Sequence, residues 1–265
     1  MNKRTFMIII SCVTIFCIIA GAFINLRHVG PSVSKVGRSV SRSVRNSIKN
    51  ARNNDYDYDF DDDFDMDLEL DDLDSDPGAK KFTNTLESFE EVSINAKVMG
   101  VTIERGNRFE VSGSYTKAAL KPNISVSGGT LKISQPDYKY KMLTNGNCKI
   151  AITVPFGTQL ESINANIDVG AIELKGIDVE DIDLNTDVGA IAVNNVEFNE
   201  LKANSDVGAV ALELTKPLSE YNIDARSDVG AIQVDGASVK RKYNRQGSTN
   251  KRIKIKTDVG GIDIQ

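Results

Sequence analysis

The stretch NTDVGAIAVNN, residues Asn185 to Asn195, holds the tripeptide whose reading decides the fold. Asp-Val-Gly starts at Asp187 here and again at Asp168, Asp206, Asp228 and Asp258, at spacings of 19, 19, 22 and 30 residues. A fixed period with occasional expansion marks stacked units whose loops grow on one side. Before each Asp, alternate residues are apolar: Ile163 and Ala165, Ile182 and Leu184, Leu201 and Ala203, Ile223 and Ala225, Ile253 and Ile255. After it the same holds for Ile172 and Leu174, Ile191 and Val193, Val210 and Leu212, Ile232 and Val234, Ile262 and Ile264. Each unit is thus two short strands of period two joined at Asp-Val-Gly.

A tight hairpin and a solenoid corner would both bring those apolar sets to one side, and turn chemistry separates them. Two-residue hairpins use type I′ or II′ turns, which need positive φ at the first central residue, and a β-branched valine there is an outlier. With Asp first, Val second and Gly third, the tetrad suits a type II turn with positive φ at Gly170, Gly189, Gly208, Gly230 and Gly260, which splays the flanking strands. The expected fold is therefore all-β: a single-chain parallel β-solenoid, right-handed by the general rule for parallel crossovers.

Stacking sets the five aspartates in a file about 4.8 Å apart, where neighbours repel by about 1 kcal/mol in water-like surroundings. An ionised Asp at the first turn position can accept backbone amide bonds from two residues on, each worth about 1.5–3 kcal/mol. Capping outweighs repulsion, so the file reads first as a turn-capping ladder without a cofactor. A cation-binding ridge, with calcium as the ion, and a set of catalytic carboxylates are the lesser alternatives. The glycine-aspartate nonapeptide of calcium-binding β-rolls is absent, in keeping with that order.

The rest of the chain restricts the chemistry. Among 265 residues there are three cysteines, Cys12, Cys17 and Cys148, and one histidine, His28. This leaves the body with no disulfide framework, no zinc spacing and no histidine base. The net charge of −5 hides segregation: residues 1–54 hold nine Lys/Arg and no acid, and residues 55–76 hold thirteen acids and no base. The run Phe6 to Ile24 is uncharged over 19 residues, about the length that spans a bilayer as a helix. A transmembrane anchor over 1–26 is favoured over a cleaved signal peptide, whose apolar core is shorter.

Residues 27–54 carry valines and bases at helical period, suited to anionic headgroups or to a flexible tether. The same bases oppose an outward body under the positive-inside rule, so charge alone leaves the membrane side open. Residues 55–81 form an acidic linker, expected to be a disordered, solvated spacer, and the β-solenoid domain is expected over 82–265. A last feature is the acid-free expansion SVKRKYNRQGSTNKRIKIK, with Lys240, Arg241, Lys242, Arg245, Lys251, Arg252, Lys254 and Lys256. It reads either as a polyanion patch or as a solvated edge that blocks aggregation.

The strand leading into Val154-Pro155-Phe156-Gly157, the turn Gly128-Gly129-Thr130-Leu131-Lys132-Ile133 and the serial Asp-Val-Gly-x-Ile units resemble the toast-rack, or putative-adhesin, family of bacterial β-solenoid domains. The resemblance covers about residues 82–265. It implies a single-pass protein of a Gram-positive cell membrane, associated with envelope stress systems, with an extracytoplasmic body. It implies no established active site. Three functions follow as expectations: a non-enzymatic module binding an envelope polymer or protein partner, a regulator of envelope stress, or a calcium- and carboxylate-dependent polysaccharide enzyme. The last lacks tryptophan for sugar stacking, and nucleic acid is disfavoured by the near-neutral body.

Overall fold

The computed structural model describes residues 78–136 and 146–265. The expected anchor, the basic segment and the acidic run lie outside the described residues; within them, no helix is long and apolar enough to cross a membrane. The strands are β1 (Lys80–Thr85), β2 (Glu91–Gly106), β3 (Glu110–Tyr115), β4 (Asn123–Ser127), β5 (Thr130–Ser134), β6 (Cys148–Pro155), β7 (Gln159–Lys175) and β8 (Asp178–Asn194). They continue as β9 (Glu200–Glu213), β10 (Asn222–Val229), β11 (Ile232–Val234), β12 (Ala237–Val239), β13 (Lys242–Arg245), β14 (Arg252–Val259) and β15 (Ile262–Ile264).

Two residues separate the end of β7 from the start of β8, yet the strands run parallel and in register, Leu160 beside Val179 and Leu174 beside Val193. The chain can do this only by folding each long strand back on itself. One half runs out along a first leaf, bends at Asp-Val-Gly, and returns along a second leaf to a corner near its start. The next copy repeats the register, with Ile182 beside Leu201 and Val193 beside Leu212. All twenty apolar residues flanking the five tripeptides are buried, and they belong to one continuous core between the leaves. The solenoid reading therefore holds in its essentials: an all-β stack of parallel, two-sided coils.

The order of the coils differs from chain order. β14 pairs with β9 on one side, Ile253 beside Leu201, and with β10 on the other, Ile253 beside Ile223. β15 likewise lies between β9 and β11. The fifth repeat is thus inserted between the third and the fourth. The expansion before it makes this possible. After β11 the chain reverses at Asp235-Gly236, with φ of 49° and 73°, the two left-handed residues of a type I′ hairpin. β12 and β13 then run back antiparallel along β11 and β10. The free chain returns through residues 246–251 to fill the remaining space beside β9.

The opposite end is closed by the same device. Gly128-Gly129, at φ of 60° and 78°, turns β4 into β5, while β3 adds antiparallel to β6 and β1 antiparallel to β3. The segment ahead of the first Asp-Val-Gly forms a full coil: β2 pairs along β7, with Val98 beside Val169 and Met99 beside Gly170. Lys97 takes the aspartate position there. β5 and β6 run parallel to β2 beyond it on the two leaves, and at the corner between them the Gln135 side chain meets the backbone of β2. Its oxygen accepts from the Lys97 and Val98 amides at 3.0 and 2.9 Å, and its nitrogen donates to the Val98 carbonyl at 2.9 Å.

Candidate functional site: the aspartate file and the basic edge

The corner is not a type II turn. Strand geometry continues through Asp168, Val169 and Gly170 and through the next two copies. The φ angles of Gly170, Gly208, Gly230 and Gly260 are 152–159°, at the border of fully extended backbone. These four do hold the expected positive φ, which side chains rarely adopt, and the neighbouring coil adds a second need for glycine that Gly189 shares. A Cβ on Gly189 would strike the carbonyl of Gly170, one on Gly208 that of Gly189, one on Gly260 that of Gly208, and one on Gly230 that of Gly260. The same order of contacts gives the order of the stack. Met99, at the end of this series, has space for a side chain, which is buried.

One residue before each aspartate the core turns polar. Ile167 is followed up the stack by Thr186, Ser205, Thr257 and Ser227, all buried. Ser205 Oγ donates to the Gly189 carbonyl at 3.2 Å, and Ser227 Oγ to the Gly260 carbonyl at 2.8 Å. The Ser205 and Ser227 hydroxyls each bond a backbone carbonyl of the neighbouring coil, whereas Thr186 Oγ1 is buried without a hydrogen-bond partner. The alternation rule reads these positions as inward without reading their purpose.

On the solvent side stands the file Lys97, Asp168, Asp187, Asp206, Asp258, Asp228. Lysines, rather than the expected backbone amides, make its described contacts: Lys97 Nζ donates to Asp168 Oδ2 at 3.0 Å, and Lys256 Nζ lies 2.7 Å from Asp258 Oδ1. Partial loss of water raises the Asp187 pKa from its ordinary value, the charges of Asp168 and Asp206 raise it further, and Lys97 opposes the rise. Lys256 is pushed up by its bond to Asp258, with the Asp228 and Asp206 charges adding to it. The file is a line of charge relieved by two lysines. Among the described residues no group of three or more His, Cys, Asp or Glu side chains converges to hold a metal ion.

Two residues before each aspartate, on the outer face of the first leaf, an asparagine column spans three coils. Asn204 Nδ2 donates to Asn185 Oδ1 at 2.8 Å, and Asn185 Nδ2 to Asn166 Oδ1 at 3.0 Å. The column then becomes basic, because Lys256 and Arg226 take the same position on β14 and β10.

The predicted basic patch is divided by the fold. Lys251 leaves it, since its side chain is mostly covered and its ammonium donates to the Phe198 carbonyl and faces Glu197 at 3.7 Å. Arg252, Lys254 and Lys256 project from β14, now in the interior of the sheet, while Lys240, Arg241, Lys242 and Arg245 lie on and beside the edge strand β13. A shallow groove of about 590 Å³ between them is lined by Arg245, Gln246, Arg252 and Lys254, with Glu200 and Asp224 also present. Both acids are already paired: Glu200 with Lys202 at 2.8 Å, and Asp224 with Arg226 through bonds of 3.0 and 2.9 Å. Among the described residues Lys240, Arg241, Lys242, Arg245 and Lys254 make no ion pair.

Two further groups were not legible. Glu173, on the outer face of the second leaf, is 8% exposed and pairs with Lys175 at 3.1 Å. Burial raises its pKa, and Lys175 opposes the rise. Cys148 is fully buried, and burial pushes its thiol up to about 12.

Residues 89–240 match the family described as Toastrack DUF4097. Among solved structures, the chain is similar to a putative cell adhesion protein from Clostridium sporogenes, at 21% identity and a TM-score of 0.58, over 70% of this chain and 98% of that one. A putative adhesin from Bacteroides fragilis is a looser likeness, at 14% identity and a TM-score of 0.35, over 71% and 97%. No curated protein matches the sequence.

Proposed function

Because the chain belongs to the Toastrack DUF4097 family, we propose that it is a non-enzymatic interaction module of a bacterial cell envelope. In this reading residues 6–24 anchor it in the cell membrane, residues 27–76 form its stalk, and the solenoid stands outside the cytoplasm. The observation that carries the proposal is the outer face of the first leaf. There the asparagine column and the aspartate file repeat at the strand spacing on a frame locked by in-register pairing and a continuous core. Such a surface is stiff, polar and periodic, and it loses little conformational entropy on meeting an extended partner. The module needs no cofactor in this reading.

Surface labelling tests the placement. Ser248 is exposed on the loop before β14, so Ser248→Cys offers an accessible thiol, whereas the buried Cys148 of the parent supplies the blank. With Cys12 and Cys17 replaced by Ser, a membrane-impermeant maleimide should label the Ser248→Cys protein in intact cells and leave the parent unlabelled. Labelling that requires cell lysis would place the body inside and overturn the proposal.

A further inference from the structure

We propose that the groove between β14 and β13 binds a linear polymer of phosphodiesters, which rests on the reading of the domain as an envelope interaction module. The site exists only because the fifth coil is inserted ahead of the fourth. In chain order β14 would lie outside β10; instead Arg252, Lys254 and Lys256 face outward beside β9 and β10, and β13 brings Lys242, paired with Arg226, to the same face on the far side of β10, while Arg245, paired with Ile223, lies on the other face. The resulting positive field spans four adjacent strands, about 14 Å across.

Three features select the ligand. Outward residues on β14 recur about every 6.6 Å along the strand, twice the strand rise. That spacing suits single charges separated by short neutral units. Arg252 presents a guanidinium fork that matches phosphate oxygens, with Lys254 two residues further along β14 as a point charge. Arg252 is held only by a 4.0 Å contact to Glu200 and is 70% exposed, so it can turn to a ligand at little loss. Glu200 and Asp224 in the same groove repel densely charged chains. Its lining contains no aromatic ring on which a base could stack, which sets this polymer apart from nucleic acid.

The test is fluorescence anisotropy of a labelled poly(glycerol phosphate) oligomer against the full-length protein, between about 50 and 200 mM salt. The triple variant Lys242→Gln, Arg252→Gln, Lys254→Gln should bind about tenfold more weakly or worse. Its log–log salt slope should be shallower by about 2, three lost contacts at about 0.7 each. A charge-matched control at the other end of the stack, Lys80→Gln, Lys121→Gln, Lys132→Gln, should bind like the parent. Lys242→Gln alone, on an exposed edge strand, should weaken binding without touching the core. Equal loss in both triple variants, or no loss in the groove variant, overturns the proposal. So does equal or tighter binding of oligothymidylate, which would assign the groove to nucleic acid. Sedimentation with isolated envelopes separates this inference from the broader reading. Parent and groove variant retained equally, with no oligomer bound, would sink the polymer and leave the module standing; if neither is retained, both fall.

Discussion

Adding one methyl group to Gly189 places it against the carbonyl of Gly170, backbone against backbone, where no rotamer can relieve the contact. Gly189→Ala should therefore cost about 3 kcal/mol or more in a denaturant melt, since the strands would have to separate. Gly176 gives the opposite case: its φ is 56°, nothing lies near its missing Cβ, and the next coil has Asn195 at the equivalent corner with φ of 53°. Gly176→Asn should change stability by no more than about 0.5 kcal/mol. Asp187 offers a pH test. Its folded pKa lies above the unfolded value, so the protonated form favours the native state, and that contribution is lost as pH rises through the folded pKa. Asp187→Asn should stabilise the fold slightly at pH 7, by no more than about 0.5 kcal/mol, and the gain should vanish in acid, where the parent is protonated. Sodium and calcium chloride at equal ionic strength should raise the parent's melting temperature equally, because a line of carboxylates is screened rather than chelated. A calcium-specific shift lost in Asp187→Asn would restore the cation ridge.

At the scale of elements, the last coil holds the stack together although it is made last. β14 and β15 fill a slot bounded by β9 on one side and by β10 and β11 on the other. A chain ending at residue 251 should lose its cooperative melt and aggregate, because β9 and β10 would then expose unpaired edges. Charge guides the insertion as well. Lys256 stands among the carboxylates of Asp206, Asp258 and Asp228, and Lys256→Glu should lower the melting temperature, with partial recovery in high salt. The reversal that opens the slot was visible in principle: Asp235-Gly236 is a strong type I′ signal. A strict serial reading of the repeats leaves no place for that hairpin.

For the whole molecule, both ends of the stack close with antiparallel strands, β1, β3 and β4 at one and β12 and β13 at the other. Parallel coils propagate; antiparallel caps stop them. β13 adds charge to that barrier, and Lys242→Val with Arg245→Val should convert it into a sticky edge, seen as concentration-dependent light scattering. The two outer faces also diverge in use. The second leaf carries Gly100, Ala171, Ala190, Ala209, Gly261 and Ala231 in one register column, while the first leaf carries asparagine, aspartate and the bases.

The sequence by itself determined the coil. Period-two alternation sets which side chains enter the core, and a repeat of 19 residues sets the in-register stacking, because both are properties of neighbouring residues along the chain. It also marked the glycines and aspartates as special, though for a turn they do not make. Why glycine is required at the bend, and which neighbour each coil takes, was decided only in the tertiary structure. The glycine answers to a carbonyl 19 to 71 residues away, and the basic groove exists because the last coil passes inside the fourth. Such contacts join residues distant in the chain, and no local pattern of propensity or charge encodes their order.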